Sequence, residues 1–132
     1  MEERYTHEPV LLSEVLDLMV TDKGGVYLDA TLGLGGHAEA VLEALAPSGR
    51  LIAVDTDPEA LAHATRRLDA HGGRLRAVRA NFRNLSSVLA AEPPASLSGA
   101  LFDLGVSSLQ LDKPSRGFAF RFEGPLDMRL DP

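Results

Sequence analysis

Short apolar segments alternate along the chain with longer segments of helical periodicity, and this alternation constrains the fold more than any other feature. The segments predicted as buried strands are residues 26–29, 51–55, 75–78 and 100–104. The segments predicted as helices, from apolar residues at helical spacing, are residues 11–19, 37–45, 58–70 and 85–89. Strands separated by helices of this length imply right-handed crossovers and a parallel sheet, so we predict an α/β fold.

Two local patterns set boundaries within this alternation. Asp57, Pro58 and Glu59 are typical of a helix start, with a capping side chain, a proline at the first helical position and an acid in the first turn. From Gly105 onward the pattern fades, and residues 109–132 are predicted to be mostly loop with a short helical turn.

A glycine-rich loop follows the first predicted strand. Gly33-x-Gly35-x-x-Ala38 matches the fingerprint of a dinucleotide site, and Asp55 lies about 20 residues on, where an acid would bind ribose hydroxyls. Such a match alone also describes a tight turn that binds nothing. The loop therefore leaves a dinucleotide, another nucleoside cofactor or no ligand as alternatives.

Asp29, at the end of the first strand, discriminates between the two cofactors. A carboxylate beside the loop would repel the pyrophosphate of NAD. S-adenosylmethionine has no phosphate there, and its ammonium and sulfonium groups are positive. Asp29, Gly33 and Asp55 are therefore predicted to contact S-adenosylmethionine, although Asp29 could alternatively be a turn or capping residue.

Polar and aromatic residues follow the later strands. Phe82, after the third strand, either contacts an adenine ring or belongs to the core. Asp103, in the fourth strand, would share one rim with Asp29 and Asp55, because ligands of open α/β sheets bind beyond the carboxyl ends of the strands. Arginine and phenylalanine are mixed further on, as a substrate-side rim or as an ordinary loop; these residues are Arg116, Phe118, Phe120, Arg121 and Arg129.

Composition narrows the partners. The 132 residues suffice for one domain with a core, and the absence of cysteine excludes disulfides and fits a reducing cytoplasm. No apolar run approaches the ~18 residues of a membrane span, the polar start does not resemble a secretory signal, and the dispersed histidines predict no metal site. The net charge of −6 argues mildly against nucleic acid, unless the surface that grips RNA lies outside these residues.

Several sequence blocks carry a resemblance to a known family. The blocks are His7–Leu12, Asp29–His37, Asp103–Ser108 with Gln110–Asp112, Arg116–Phe118 and Pro125–Arg129. In this order and spacing they resemble the RsmH family, also called MraW, of bacterial methyltransferases. That family modifies the exocyclic N4 of a cytidine in 16S ribosomal RNA of the small subunit.

The resemblance implies a Rossmann-like fold, S-adenosylmethionine as cofactor and ribosomal RNA as substrate. The family's cofactor contacts fall on Gly35, Gly36, His37, Asp55, Phe82, Asp103 and Gln110. The roles of His37 and Gln110 rest on the resemblance alone. Asp103, Ser107 and Ser108 are predicted to be catalytic, because the loop after the fourth strand is similar in position to the acceptor loop of amino-methyltransferases.

The resemblance also concerns the extent of the chain. Family members continue with a helical substrate-recognition domain and further strands. We therefore expect residues 1–132 to be the N-terminal part of a larger methyltransferase domain, able to bind the cofactor but weakly active or inactive alone. A non-catalytic cofactor-binding protein and an NAD-dependent oxidoreductase remain as alternatives.

Overall fold

The computed structural model describes residues 8–91 and 96–132. His7, in the first family block, and the predicted linker residues Pro93 and Pro94 lie outside the described residues.

A parallel sheet forms the centre of the structure. Its strands are β1 (Val26–Asp29), β2 (Arg50–Asp55), β3 (Leu75–Arg79) and β4 (Gly99–Leu101). The four strands are ordered β3-β2-β1-β4, all parallel, so the predicted fold class is confirmed. Among the described residues β4 has β1 as its one neighbour, and its other edge is open.

Helices connect the strands as the periodicity predicts. They are α1 (Leu12–Met19), α2 (Gly36–Ala44), α3 (Pro58–Arg67), α4 (Leu85–Ala91) and α5 (Ser108–Asp112). Three short 3₁₀ segments accompany them, at Asp69–Arg74, Phe82–Asn84 and Pro114–Arg116. Asp57 caps α3 as predicted, since its side chain accepts hydrogen bonds from the backbone N–H groups of Glu59 and Ala60.

The two faces of the sheet bury different amounts of apolar surface. On one face, Tyr27 and Leu51 of the strands pack with Val41 and Leu42 of α2 and with α3. The opposite face has a smaller cluster, in which Val88 of α4 packs with strand residues. Because both faces are covered, β1 and β2 read as nearly continuous apolar runs.

The structure corrects two predicted boundaries. The fourth strand ends at Leu101 rather than at Leu104, because the N–H of Asp103 bonds to the side-chain oxygen of Thr31 at 2.7 Å instead of to a backbone carbonyl of the sheet. The α-helix predicted to run to residue 70 ends at Arg67 and continues as a 3₁₀ segment. Within the described ranges, none of the helices is long and apolar enough to cross a membrane.

Candidate functional site

A cleft of about 660 Å³ opens at the carboxyl ends of the strands. Residues of the glycine loop, the end of β2, the turn after β3 and the segment after β4 form its walls. The predicted site residues that line it are Gly33, Gly36, His37, Asp55, Phe82, Asp103, Ser107 and Gln110. Asp29, Gly35 and Ser108 are not among its lining residues.

The glycine loop has backbone angles that favour glycine. Gly33 has φ 53° and Gly35 has φ 84°, both in the left-handed region where a side chain is strained. Gly35 also faces α3, where an added Cβ would lie 3.2 Å from the Cβ of Ala64. The loop can therefore turn sharply into α2 while it packs against the neighbouring helix.

Gly36 serves a different purpose. A Cβ at Gly36 would lie 2.5 Å from Cγ of Pro9. Pro9 and Val10 both line the cleft, so the segment before α1 rests on the glycine loop at the cleft wall. The missing side chain of Gly36 thus allows two distant parts of the chain to meet.

Asp55 is fixed from both sides at the end of β2. Its Oδ2 accepts the N–H of Gly33 at 2.7 Å, and its Oδ1 accepts the N–H of Asp57 at 2.9 Å. A carboxylate has about four lone-pair sites, so two remain for a ligand. The side chain that caps α3 is that of Asp57, so Asp55 is not needed as the cap.

Asp29 lies beneath the cleft rather than in its wall. Its side chain is 2% exposed and accepts the N–H of Thr31 at 3.0 Å. Burial raises the pKa of Asp29 to about 6, against the opposing effects of the Thr31 bond and of His37. Its charge nevertheless acts on the rim, since it interacts electrostatically with Asp55 and Asp103.

His37 joins three parts of the rim. Its Nε2 donates to the carbonyl of Val10 at 2.8 Å, and its Nδ1 lies 3.7 Å from Oδ2 of Asp103. Because a carbonyl only accepts, Nε2 must carry a proton in this contact, and Nδ1 faces the carboxylate. The backbone of Asp103 is held separately by Thr31, a cleft residue that the sequence analysis did not single out.

Phe82 is neither a core residue nor fully exposed. The residue is 44% exposed and lines the cleft, and its ring meets the ring of Phe102 edge to face at 6.0 Å between centroids. Asn81 caps the short turn that carries Phe82, by accepting the N–H of Arg83 at 3.0 Å. The ring is thus presented to the cleft from a fixed turn.

The predicted catalytic serines have different positions. Ser107 caps α5 and lines the cleft, and a reciprocal pair of bonds joins it to Gln110. Ser108 begins α5 and lines a second hollow, of about 460 Å³, with Phe120 and Arg121. The amide of Gln110 is engaged on both sides, by Ser107 and by Asp57.

The predicted basic-aromatic rim divides in the structure. Arg116 is buried, with 8% of its surface exposed, and bonds to Asp57. Arg129 forms a two-pronged pair with Asp127, whereas Phe120 is fully exposed. Across residues 8–91 and 96–132, no group of acidic and histidine side chains could hold a metal ion.

Solved structures share the arrangement of sheet and helices. A putative rRNA-methylase from Clostridium thermocellum is similar with TM-score 0.63 and 19% identity, over 77% of this chain and 54% of that one. The C-terminal domain of precorrin-6Y C5,15-methyltransferase from Rhodobacter capsulatus gives TM-score 0.59 and 17% identity, over 81% and 55%. The fold is the Rossmann-like fold of S-adenosylmethionine-dependent methyltransferases.

The sequence places the chain within that class. The profile of the MraW methylase family matches residues 4–132, and the chain belongs to this family. The resemblance found in the sequence blocks is confirmed. S-adenosylmethionine is the cofactor of this class of methyltransferase.

Curated relatives carry a common name. The chain is 50% identical to ribosomal RNA small subunit methyltransferase H of Thermomicrobium roseum, over 96% of this chain and 39% of that protein. It is 52% identical to the protein of the same name from Burkholderia vietnamiensis, over 96% and 39%. The chain thus spans about two fifths of the length of these relatives.

Proposed function

We propose that this chain binds S-adenosylmethionine in the cleft and forms the cofactor half of a cytoplasmic enzyme. The enzyme would methylate the exocyclic N4 of a cytidine in 16S ribosomal RNA of the small subunit. The observation that carries the proposal is the set of carboxylates at the cleft: Asp55 and Asp103 line it, and Asp29 acts on it from below. The names of the relatives support ribosomal RNA as the substrate.

The charge of the site fits this cofactor better than a dinucleotide. The ammonium and sulfonium groups of S-adenosylmethionine are attracted by Asp29 and Asp103, whereas the pyrophosphate of NAD would be repelled. The cleft volume of about 660 Å³ also falls within the ~300–1,000 Å³ range of small-molecule sites. The charge of the site therefore favours a methyltransferase over an oxidoreductase, and the volume is that of a small-molecule site.

Each predicted contact has a chemical role. The open lone pairs of Asp55 would accept the ribose hydroxyls, and the ring of Phe82 would contact the adenine. The backbone of Gly33, Gly35 and Gly36 would allow a close approach of the cofactor. His37 and Gln110 would shape the cleft beside Asp103.

The chemistry requires help at the acceptor. The bound cofactor would supply an electrophilic methyl group on its sulfonium. The cytidine N4 is a weak nucleophile, because its lone pair is delocalised into the ring. A hydrogen bond from its N–H to Asp103 or to the hydroxyl of Ser107 would localise that lone pair and stabilise the developing positive charge. The same two side chains would hold the amine nitrogen in line with the methyl group and the sulfonium.

The acceptor base must leave its stack to reach the cleft. The second hollow is bordered by Ser108, Phe120 and Arg121. Ser108 directly follows Ser107 of the cleft in sequence. An exposed aromatic ring and an arginine are the side chains on which unstacked RNA bases commonly stack. We assign this hollow to the approach of the RNA. Ser108 would accordingly contact the approaching RNA rather than the reacting amine.

Calorimetric titration of the 132-residue chain tests the cofactor half of the proposal. S-adenosylmethionine should bind and NAD should not. Tight binding of NAD, or no binding of S-adenosylmethionine, would contradict the proposal. A methylation assay on small ribosomal subunits addresses the second half: we expect binding with little turnover, whereas robust turnover would show that these residues suffice for catalysis.

A further inference from the structure

A buried carboxylate, that of Asp57, lies where the cleft rim meets the residues after β4. Its side chain is fully buried. Oδ1 accepts the N–H groups of Glu59 at 3.0 Å and Ala60 at 3.4 Å, and so caps α3. Oδ2 accepts Nε2 of Gln110 at 2.9 Å and Nη2 of Arg116 at 2.7 Å. One carboxylate is therefore shared between a helix start and residues 53 and 59 positions later.

The bonds of Asp57 continue in both directions. Its own N–H donates to Oδ1 of Asp55 at 2.9 Å, at the proposed ribose site. On the other side, Oε1 of Gln110 accepts the N–H of Ser107 at 2.9 Å. A continuous set of hydrogen bonds thus joins Asp55, Asp57, Gln110 and Ser107, which are the proposed cofactor and acceptor sides of the cleft.

Arg116 extends this set to a third part of the chain. Its Nη2 also donates to the carbonyl of Arg129 at 3.2 Å, and its backbone carbonyl accepts the N–H of Met128 at 2.9 Å. Leu130, next in sequence, lines the cleft. Nη1 is buried without a hydrogen-bond partner among the described residues and lies 3.6 Å from Oε2 of Glu59.

Capping alone does not explain this arrangement. Asparagine caps helices about as well as aspartate, so the start of α3 needs no charge. Burial would raise the pKa of Asp57, but the bonds from Arg116 and Gln110 outweigh burial and hold that pKa below its usual value. The carboxylate is therefore kept ionised by Arg116 and Gln110, two side chains from the segment after β4.

We propose that Asp57 and Arg116 are positioning residues that couple cofactor binding at Asp55 to the placement of Ser107 and the acceptor amine. The coupling rests on the proposed function, since that function assigns the cofactor to one end of the bonded set and the amine to the other. Neither residue needs to touch the reacting atoms.

The test uses a double variant, Asp57→Asn with Arg116→Met, in the 132-residue chain. Asparagine keeps the cap, and removal of the arginine leaves no buried charge unpaired, so the variant should fold. The readouts are the Kd for S-adenosylmethionine and the hydrogen-exchange rates of the Ser107 and Gln110 amides, by NMR, with and without the cofactor.

In the unaltered chain the cofactor should slow exchange of both amides. In the double variant we expect a Kd raised by about tenfold, within the ~5–150-fold range of coupled sites, and no cofactor-dependent protection of Ser107. Arg116→Lys keeps the cation but not its planar fork, so it should restore part of the protection. Arg67→Met, an exposed arginine of α3 paired with Glu39, is the matched control and should change neither readout.

Two results would overturn the coupling. One is a folded double variant in which the cofactor protects Ser107 as in the unaltered chain. The other is an unchanged exchange rate of Ser107 in the cofactor-free double variant. The second comparison decides the matter even if S-adenosylmethionine does not bind at all, which would count against the proposed function instead. If the double variant does not fold, the same comparisons are made with Arg116→Gln, which removes the cation, and protection equal to that of the unaltered chain would overturn the proposal.

Discussion

The two sides of the cleft are built in different ways. On the side of β1 and β2, Asp29 and His37 are 2% and 8% exposed, and Asp55 is bonded to the backbone through both oxygens. On the side after β4, Leu104 is 70% exposed and Val106 is 46% exposed. The first side is fixed by the sheet, whereas the second side is fixed by a few side-chain hydrogen bonds.

This difference fits the two tasks that the proposed function assigns to the cleft. A cofactor of fixed shape benefits from groups that are already in place, because binding then costs little ordering. An RNA substrate has to bring an unstacked base, which exposed aromatic and basic side chains can accept. The contrast predicts that changes on the first side affect the cofactor and the fold, whereas changes on the second side affect the RNA.

The largest effect is expected at Asp55. Asp55→Ala removes the acceptor of the Gly33 N–H and the proposed acceptor of the ribose hydroxyls, so S-adenosylmethionine should bind about 100-fold more weakly, or ~3 kcal/mol. Titration calorimetry measures the change. Asp17→Ala, at an exposed position of α1, is the control. Equal affinities in the Asp55 variant and the control would place the ribose elsewhere.

The next effect is a pH dependence that originates at Asp29. The folded chain keeps this proton up to about pH 6, whereas the unfolded chain loses it near pH 3.8, the ordinary pKa of an aspartate. Stability should therefore fall as the pH rises from about 4 to 6, by ~2–3 kcal/mol, and stay lower above that range. Urea unfolding of the unaltered chain and of Asp29→Asn measures it, because the asparagine cannot titrate. A stability difference between them that is independent of pH would contradict the assignment.

The titration of Asp29 should also affect the affinity for the cofactor. A cation bound near Asp29 lowers its pKa, so the affinity for S-adenosylmethionine should rise between about pH 5 and 7. The rise should be smaller in Asp29→Asn, and calorimetry over that pH range can compare the two. If both proteins show the same rise, Asp29 does not sense the cofactor charge.

A smaller effect is expected at Gly36. Gly36→Ala places a Cβ 2.5 Å from Pro9 and should cost about 2 kcal/mol, a typical penalty for overpacking. The midpoint of urea unfolding reports it. Gly73→Ala is the matched control, since its Cβ would meet nothing within 4 Å. A variant at Gly36 as stable as the control would mean that the Pro9 segment moves aside easily.

The smallest effect on stability is expected at Phe120. Phe120→Ala should change stability by less than about 0.5 kcal/mol, because the ring is fully exposed. Its effect should instead be on RNA, as reduced photo-crosslinking to small ribosomal subunits. Leu42→Ala in the core is the contrasting control and should cost about 2–5 kcal/mol. Unchanged crosslinking would remove Phe120 from the proposed RNA approach.

The fold followed from the sequence wherever local patterns decide it. The strands, the helices after them and the cap at Asp57 are set by residues within a few positions of one another. The end of β4 could not be predicted, because it depends on a bond from Asp103 to Thr31, 72 residues earlier in the chain. Asp55 and Asp103 could be predicted to share one rim because strand ends are local features and parallel strands bring them together, whereas Asp29 lies beneath that rim.

The same limit applies to the site. The family resemblance indicates a cofactor contact at Gly36, but nothing in its motif indicates that the missing side chain also makes room for Pro9. Arg116 lies in a loop-like stretch and its sequence context is that of a surface residue. It is nevertheless buried and pairs with Asp57, 59 positions earlier in the chain. Periodicity and motifs carry no information about pairings over such distances, so the assignments of individual site residues remain predictions.

The position of β1 bears on how the chain is made. Of the four strands described, β1 is synthesised first, yet it pairs with β4, roughly seventy residues later, as well as with β2. At translation rates of about 5–20 residues per second, one edge of β1 waits several seconds for its second neighbour. During that interval its backbone groups can pair with another nascent chain, so the order of strands makes ribosome spacing and chaperone access part of the protein's folding yield.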